Sequence, residues 1–145
     1  MSEAILQIRG LTVDFPSESG TVRAVRDLDL DIRAGEVLGL VGESGSGKSV
    51  TSLSMIGLLP ATAQVSGRVL YDGKNLLELT DDEMAAYRGS DIAMVFQDPL
   101  SALNPVRTIG HQIAEAIHIH KDVSEDVALA RAIELLDLEI GRAHV

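Results

Sequence analysis

Val37-Leu38-Gly39-Leu40-Val41-Gly42-Glu43-Ser44-Gly45-Ser46-Gly47-Lys48-Ser49 is the stretch whose reading decides the fold. It opens with a short apolar run, Val37–Val41, that reads as a buried strand, and a glycine-rich turn follows. From Gly42 to Ser49 the turn matches the phosphate-loop pattern G-x-x-x-x-G-K-[ST]. Gly42, Gly45 and Gly47 accept backbone angles that a side chain forbids, so successive N–H groups can ring an anion. A helix starting near Gly47 adds its free amides and the positive end of its dipole. Lys48 sets an ammonium against the β- and γ-phosphates, and Ser49 offers Mg²⁺ a hard oxygen. A plain Gly/Ser connector seldom combines this spacing, the Lys-Ser pair and a preceding apolar strand. The stretch predicts a nucleoside triphosphate as ligand.

Upstream, Leu6 and Ile8 alternate with polar neighbours, and Leu11, Val13 and Phe15 alternate in the opposite phase. A strand with a bulge at Gly10 accounts for the shift. Pro16 to Gly20 form a turn. Leu28, Leu30 and Ile32 then alternate with Asp27, Asp29 and Asp31, a half-buried strand whose acidic stripe reads as a solvated face. The opening is thus antiparallel β. Downstream, a helix is expected to about Leu59 with Leu53, Ile56 and Gly57 on one face, ended by Pro60. Val65 to Tyr71 reads as a strand, closed by the Asp72-Gly73 turn signal.

Thr80 and Glu83 form a capping box for a short helix over Asp81 to Arg88, with Gly89 ending it. Ile92–Phe96 reads as a second buried parallel strand. A proline-containing loop follows, and then two helices with apolar faces at Ile109, Ile113, Ala116 and Ile117, and at Leu129, Ala132, Ile133 and Leu136.

Composition narrows the function. The 145 residues are 46% hydrophobic, enough for one domain with a core. Acidic residues outnumber basic ones 22 to 12, a net charge of -10, which argues against a nucleic-acid partner. Aromatics at 3% give no stacking platform for bases. No cysteine is present, so disulfides and thiolate metal sites are excluded for these residues. No apolar run approaches the ~20 residues of a membrane helix, and the N-terminus lacks the pattern of a signal peptide. A soluble, cytosolic protein is expected.

Val41 to Val50 resembles the phosphate loop of ABC transporter ATPases, and Phe96-Gln97-Asp98-Pro99 with Ser101, Leu103, Asn104 and Pro105 resembles their Q-loop. The wording of both motifs is similar to the oligopeptide/dipeptide importer subfamily, over residues from about 4 to 138. The resemblance implies an α/β fold: a P-loop NTPase core of the ABC ATPase type, with an N-terminal antiparallel β subdomain and the start of a helical subdomain, truncated. Residues 1–138 would be the N-terminal part of the nucleotide-binding domain and 139–145 a non-native tail. The segment Ile140 to Val145 is not expected to continue the preceding helix, resembles translated adapter sequence and should be disordered.

The family's roles carry over to individual residues. ATP and Mg²⁺ are the implied cofactors. Phe15 would stack on adenine, the family position outweighing the strand-core reading that a lone Phe favours by residue type. Val25 would touch the same ring, although a core strand residue needs no other reason. Gly42, Glu43, Ser44, Gly45, Ser46, Gly47, Lys48, Ser49 and Val50 would hold the phosphates. Val50 stands where many relatives have a hydroxyl, leaving its N–H or the Thr51 hydroxyl for the α-phosphate. Lys48 and Gln97 would be catalytic, and Ser49 and Gln97 would meet the metal, Gln97 also sensing the γ-phosphate.

The resemblance further implies an ATPase powering import of peptides or related small solutes at the cytoplasmic face of the membrane. Permease subunits would dock on the loop from Asp98 to Pro105 and the helices behind it. A second ATPase subunit, identical or not, would complete the site, and a substrate-binding protein would act indirectly. Import of nickel or another solute is the alternative cargo. An Asp-Glu strand end, a switch histidine and L-S-G-G-Q do not occur in the 145 residues, which favours nucleotide binding without turnover for these residues alone. A GTPase or small-molecule kinase is disfavoured, because Lys74-Asn75 has the wrong order for a guanine reader. His118 and His120 lie two apart on a helix and point to different faces, so they read as solvated.

Overall fold

The computed structural model describes residues 4–98 and 103–143, the side chains of 140–143 excepted. It forms two compact units, Met1–Arg88 and Gly89–Val145. The first is built on a sheet of order β2-β1-β3-β4, with β1 Ala4–Ser17, β2 Gly20–Arg33, β3 Gln64–Tyr71 and β4 Lys74–Asn75, every pairing antiparallel. The central strand β1 supplies Ile8, Leu11 and Val13, which with Val69 are fully buried. The alternation of apolar residues along β1 therefore marks the core correctly.

The expected bulge at Gly10 is present: Gly10 has φ +58°, and the β1–β2 register shifts between Ile8 and Leu11. Two more shifts follow, between Leu11 and Val13 and between Val13 and Asp14. The acidic stripe is exposed but not merely solvated. Asp29 Oδ1 accepts the Gly10 N–H at 2.7 Å, and Asp31 pairs with Arg9 at 2.6 Å. The stripe satisfies the backbone donor that the bulge removes from the ladder.

Helix α1, Lys48–Met55, is shorter than expected. Leu58 N donates to Leu53 O at 3.0 Å and Gly57 N to Ser54 O at 3.3 Å, with Gly57 at φ +64°. This pair of bonds is a Schellman closure. Gly57 therefore stops the helix before Pro60 can, rather than belonging to its face. Helix α2, Asp81–Ala85, has the expected capping box. The Thr80 N–H reaches Glu83 Oε2 at 2.8 Å, and this bond, with that of the Thr80 hydroxyl, holds the Glu83 carboxyl below its ordinary value.

The two apolar runs read as buried strands are corrected. Residues 36–43 pair with no strand, and Val37 and Val41 are 98% and 92% exposed. Of Ile92–Phe96 only Ile92 joins a single bridge, and Val95 is 95% exposed. Parallel strands draw their partners from segments distant in sequence. No such partner lies beside either run among the described residues.

The second unit pairs α3, Ile109–His120, with α4, Glu125–Ala143. Small residues make the contact: Ala114, Ala128 and Ala132 are buried, whereas Ile109 and Ile133 are about half exposed. Ala132 of the expected second face is thus buried as read and Ile113, Ile117, Leu129 and Leu136 are half-buried, while Ala114 and Ala128 are buried positions that the expected faces left out. Helix α4 continues to Ala143, correcting the expectation that the chain leaves the helix at Ile140. Residues 144 and 145 lie outside the described residues.

Candidate functional site

Between Gly42 and Ser49 the backbone closes a turn, with Ser46 N donating to Glu43 O at 3.2 Å. Lys48 folds back over it. Its Nζ donates to Gly42 O at 2.8 Å, to Glu43 O at 2.6 Å and to Ser46 Oγ at 3.3 Å. An ammonium supplies three donors, and here all three are taken by the loop's own oxygens. Helix α1 begins at Lys48 behind Gly47, with no side-chain cap and no acidic residue in its first turn. Its leading amides and the Lys48 ammonium form a donor set suited to a polyphosphate.

Ser44 and Ser49 are exposed and Val50 is half-buried. The alternative of Thr51 as the phosphate-facing hydroxyl is corrected. Thr51 is 3% exposed, and its Oγ1 donates to Gly47 O at 2.9 Å within the helix. Two hollows adjoin the loop. One, of about 130 Å³, is lined by Ala24 and residues 45–50; the other, of about 410 Å³, is bounded by Arg23–Arg26, Leu40–Gly42 and Lys48.

The hairpin approaches the loop at Ala24 and Val25. A Cβ on Gly47 would lie 2.4 Å from Ala24 O and 3.3 Å from Val25 Cγ2. Val13 pairs with Val25 but Asp14 pairs with Arg23, so Ala24 is an extra, bulged residue. Beside it, Arg23 grips Asp14 through Nε–Oδ1 at 2.8 Å and Nη2–Oδ2 at 3.0 Å. The Arg23 hydrogen bond holds the Asp14 carboxyl below its ordinary value, and Asp14 raises Arg23 in return. Phe15 sits half-buried on the same hairpin, opposite Val22.

Sequence reasoning missed the Ala24 bulge and the Asp14–Arg23 fork. Their one visible signal is a pair of opposite charges flanking the turn from Pro16 to Gly20.

Gln97 belongs to the second unit, exposed at a bend after Phe96. Pro99 and Ser101 lie outside the described residues. Leu103, Asn104 and Pro105 are exposed, and Asn104 is clasped by Gln112: Asn104 N donates to Oε1 at 2.8 Å while Nε2 donates to Asn104 O at 3.0 Å. Nothing in the residue pattern marks this amide clasp. Among the described residues no three His, Cys, Asp or Glu side chains converge on a metal position.

Residues 25–143 match the family described as ABC transporter. The chain belongs to that family. It is 48% identical over 139 residues to the "Probable peptide ABC transporter ATP-binding protein y4tR" of Sinorhizobium fredii, covering 94% of this chain and 42% of that one. It is 47% identical over 138 residues to the dipeptide transport ATP-binding protein DppD of Bacillus subtilis, covering 94% and 41%. The chain thus spans about four-tenths of the length of these two curated relatives. The dimeric structure of MJ0796, a bacterial ABC transporter cassette, superposes with a TM-score of 0.78 at 26% identity, covering 91% of this chain and 56% of that one. A second structure of that cassette, in a post-hydrolysis state, is bound to ADP and Pi. The fold is that of an ABC ATPase cassette.

Proposed function

We propose that residues 1–138 form the ATP-binding N-terminal part of an ATPase subunit that powers peptide import through a membrane permease. The supporting observation is Lys48, whose ammonium spans the loop from Gly42 to Ser46 directly ahead of an uncapped helix. The names of the ABC relatives support peptides as the cargo.

In this reading the loop amides and the first amides of α1 bind the phosphates. Lys48 exchanges its bonds to Gly42 O and Glu43 O for phosphate oxygens, so the loop's own carbonyls hold the cation until ligand arrives. Ser49 would hold Mg²⁺, which when bound would neutralise phosphate charge. Val25 and Phe15 present an apolar edge to the base. Gln97 acts in the γ-phosphate and metal environment. Permease subunits meet the Asp98–Pro105 loop on the cytoplasmic side of the membrane, and a second ATPase subunit completes the site.

The chain contains no L-S-G-G-Q stretch, so these residues alone are expected to bind nucleotide without turning it over. Fluorescent ATP titrated onto the 145-residue chain tests the site. Binding should fall at least about tenfold in Lys48→Ala and be largely kept by Gln97→Ala. Equal loss in both would refute the division of roles. Hydrolysis above the Lys48→Ala background would contradict binding without turnover, and preference for GTP over ATP would contradict the adenine reading.

A further inference from the structure

We infer, on the basis of the nucleotide site proposed above, that Asp14 and Arg23 are positioning residues that set the base-side wall of that site against its phosphate loop. The hairpin meets the loop at the bulged residue Ala24 and its neighbour Val25. Ala24 is extra in the register between Val25, opposite Val13, and Arg23, opposite Asp14. Its carbonyl stands so close to Gly47 that a Cβ there would come within 2.4 Å, and Val25 Cγ2 would come within 3.3 Å of the same atom.

A bulge is a soft place in a ladder, because the extra residue is unpaired. The two-pronged Asp14–Arg23 fork, at 2.8 and 3.0 Å, closes the ladder immediately beyond it. Planar bidentate pairs fix direction as well as distance. The fork thereby determines where Ala24 and Val25 stand relative to Gly47. The loop's own bonds, from Lys48 to Gly42, Glu43 and Ser46, do not involve the fork.

Loss of the fork therefore leaves phosphate binding intact and lets the wall beside it drift. ATP affinity should fall, while affinity for a ligand with no base should not. A pair that merely fastened two strands would lower the melting temperature without changing the ratio of the two affinities.

The test is calorimetric titration of the 145-residue chain with MgATP and, separately, with inorganic tripolyphosphate. The wild type is compared with Asp14→Asn, with Arg23→Ala and with the charge swap Asp14→Arg/Arg23→Asp. The expected result is that wild type prefers ATP and that each single variant loses about tenfold for ATP, about 1.4 kcal/mol. Tripolyphosphate binding should stay within about twofold, and the swap should recover much of the loss for ATP. An unchanged ratio in the single variants overturns the inference, as does equal loss of both ligands, which would mark a general folding role. A wild type that binds both ligands equally overturns it and leaves the phosphate site standing. A wild type that binds neither overturns the nucleotide reading along with it.

Discussion

The β1–β2 hairpin and the Val37–Val41 run are both apolar, both extended in their sequence pattern, and only three residues apart along the chain. One holds the core of the first unit and the other is bare. Ile8, Leu11 and Val13 are fully buried, whereas Val37 and Val41 are almost fully exposed. The hairpin strand finds its partner through a two-residue turn, since Ser17 pairs with Gly20. The apolar run has no partner within reach of a turn. Pattern alone tells which side chains want burial, but topology decides whether anything arrives to bury them.

That contrast is open to direct tests, of which the largest effect is expected in the hairpin. Ile8→Ala removes a fully buried side chain at the centre of the sheet and should cost ~2–5 kcal/mol in urea unfolding. A loss below 1 kcal/mol would mean the hairpin is not the core.

Next is Lys48→Ala. Hydrogen bonds to a charged group contribute ~1.5–3 kcal/mol, so ATP affinity should drop at least about tenfold while the melting temperature hardly moves.

A smaller effect is expected at the α2 cap. Thr80→Ala should cost ~1 kcal/mol of stability. The depressed Glu83 carboxyl gives this cap a pH signature. Its folded-state value lies below the unfolded one, so its contribution is complete above the ordinary carboxylate range and is lost as pH falls through the folded value. The melting temperature of wild type should therefore decline more steeply with acid than that of Glu83→Gln, which can still accept the Thr80 N–H but does not titrate.

The smallest effect is expected in the bare run, where Val41→Ser should lie within ~0.5 kcal/mol of wild type in the 145-residue chain. A large loss there would show that the run is buried in solution and would erase the contrast.

Features closed by nearby residues were legible. The Gly10 bulge appeared as a change of phase, the α2 cap as Thr80 and Glu83, and the phosphate loop as spacing. The α1 terminus was misplaced because Gly57 was read as a face residue when its left-handed angle makes it a stop. The α3–α4 contact was legible at Ala132 but not at Ala114 or Ala128, which attract less notice than the isoleucines beside them. At the candidate site, the glycines that shape the Gly42–Ser49 turn and the lysine that folds over it were visible in the spacing. Ala24 was not, since a carbonyl displaced by a bulge leaves no mark on residue type, and the Gln112 clasp joins residues eight apart through groups that any glutamine possesses.

The loop's glycines also differ in what they would tolerate. At Gly45 the angle is left-handed, φ +80°, but nothing lies within 4 Å of a would-be side chain; at Gly47, with φ +90°, the Ala24 carbonyl fills that space. Asparagine visits left-handed angles more readily than other side chains. A randomised library selected for capture on immobilised ATP should therefore return asparagine beside glycine at position 45, and glycine without alternatives at position 47.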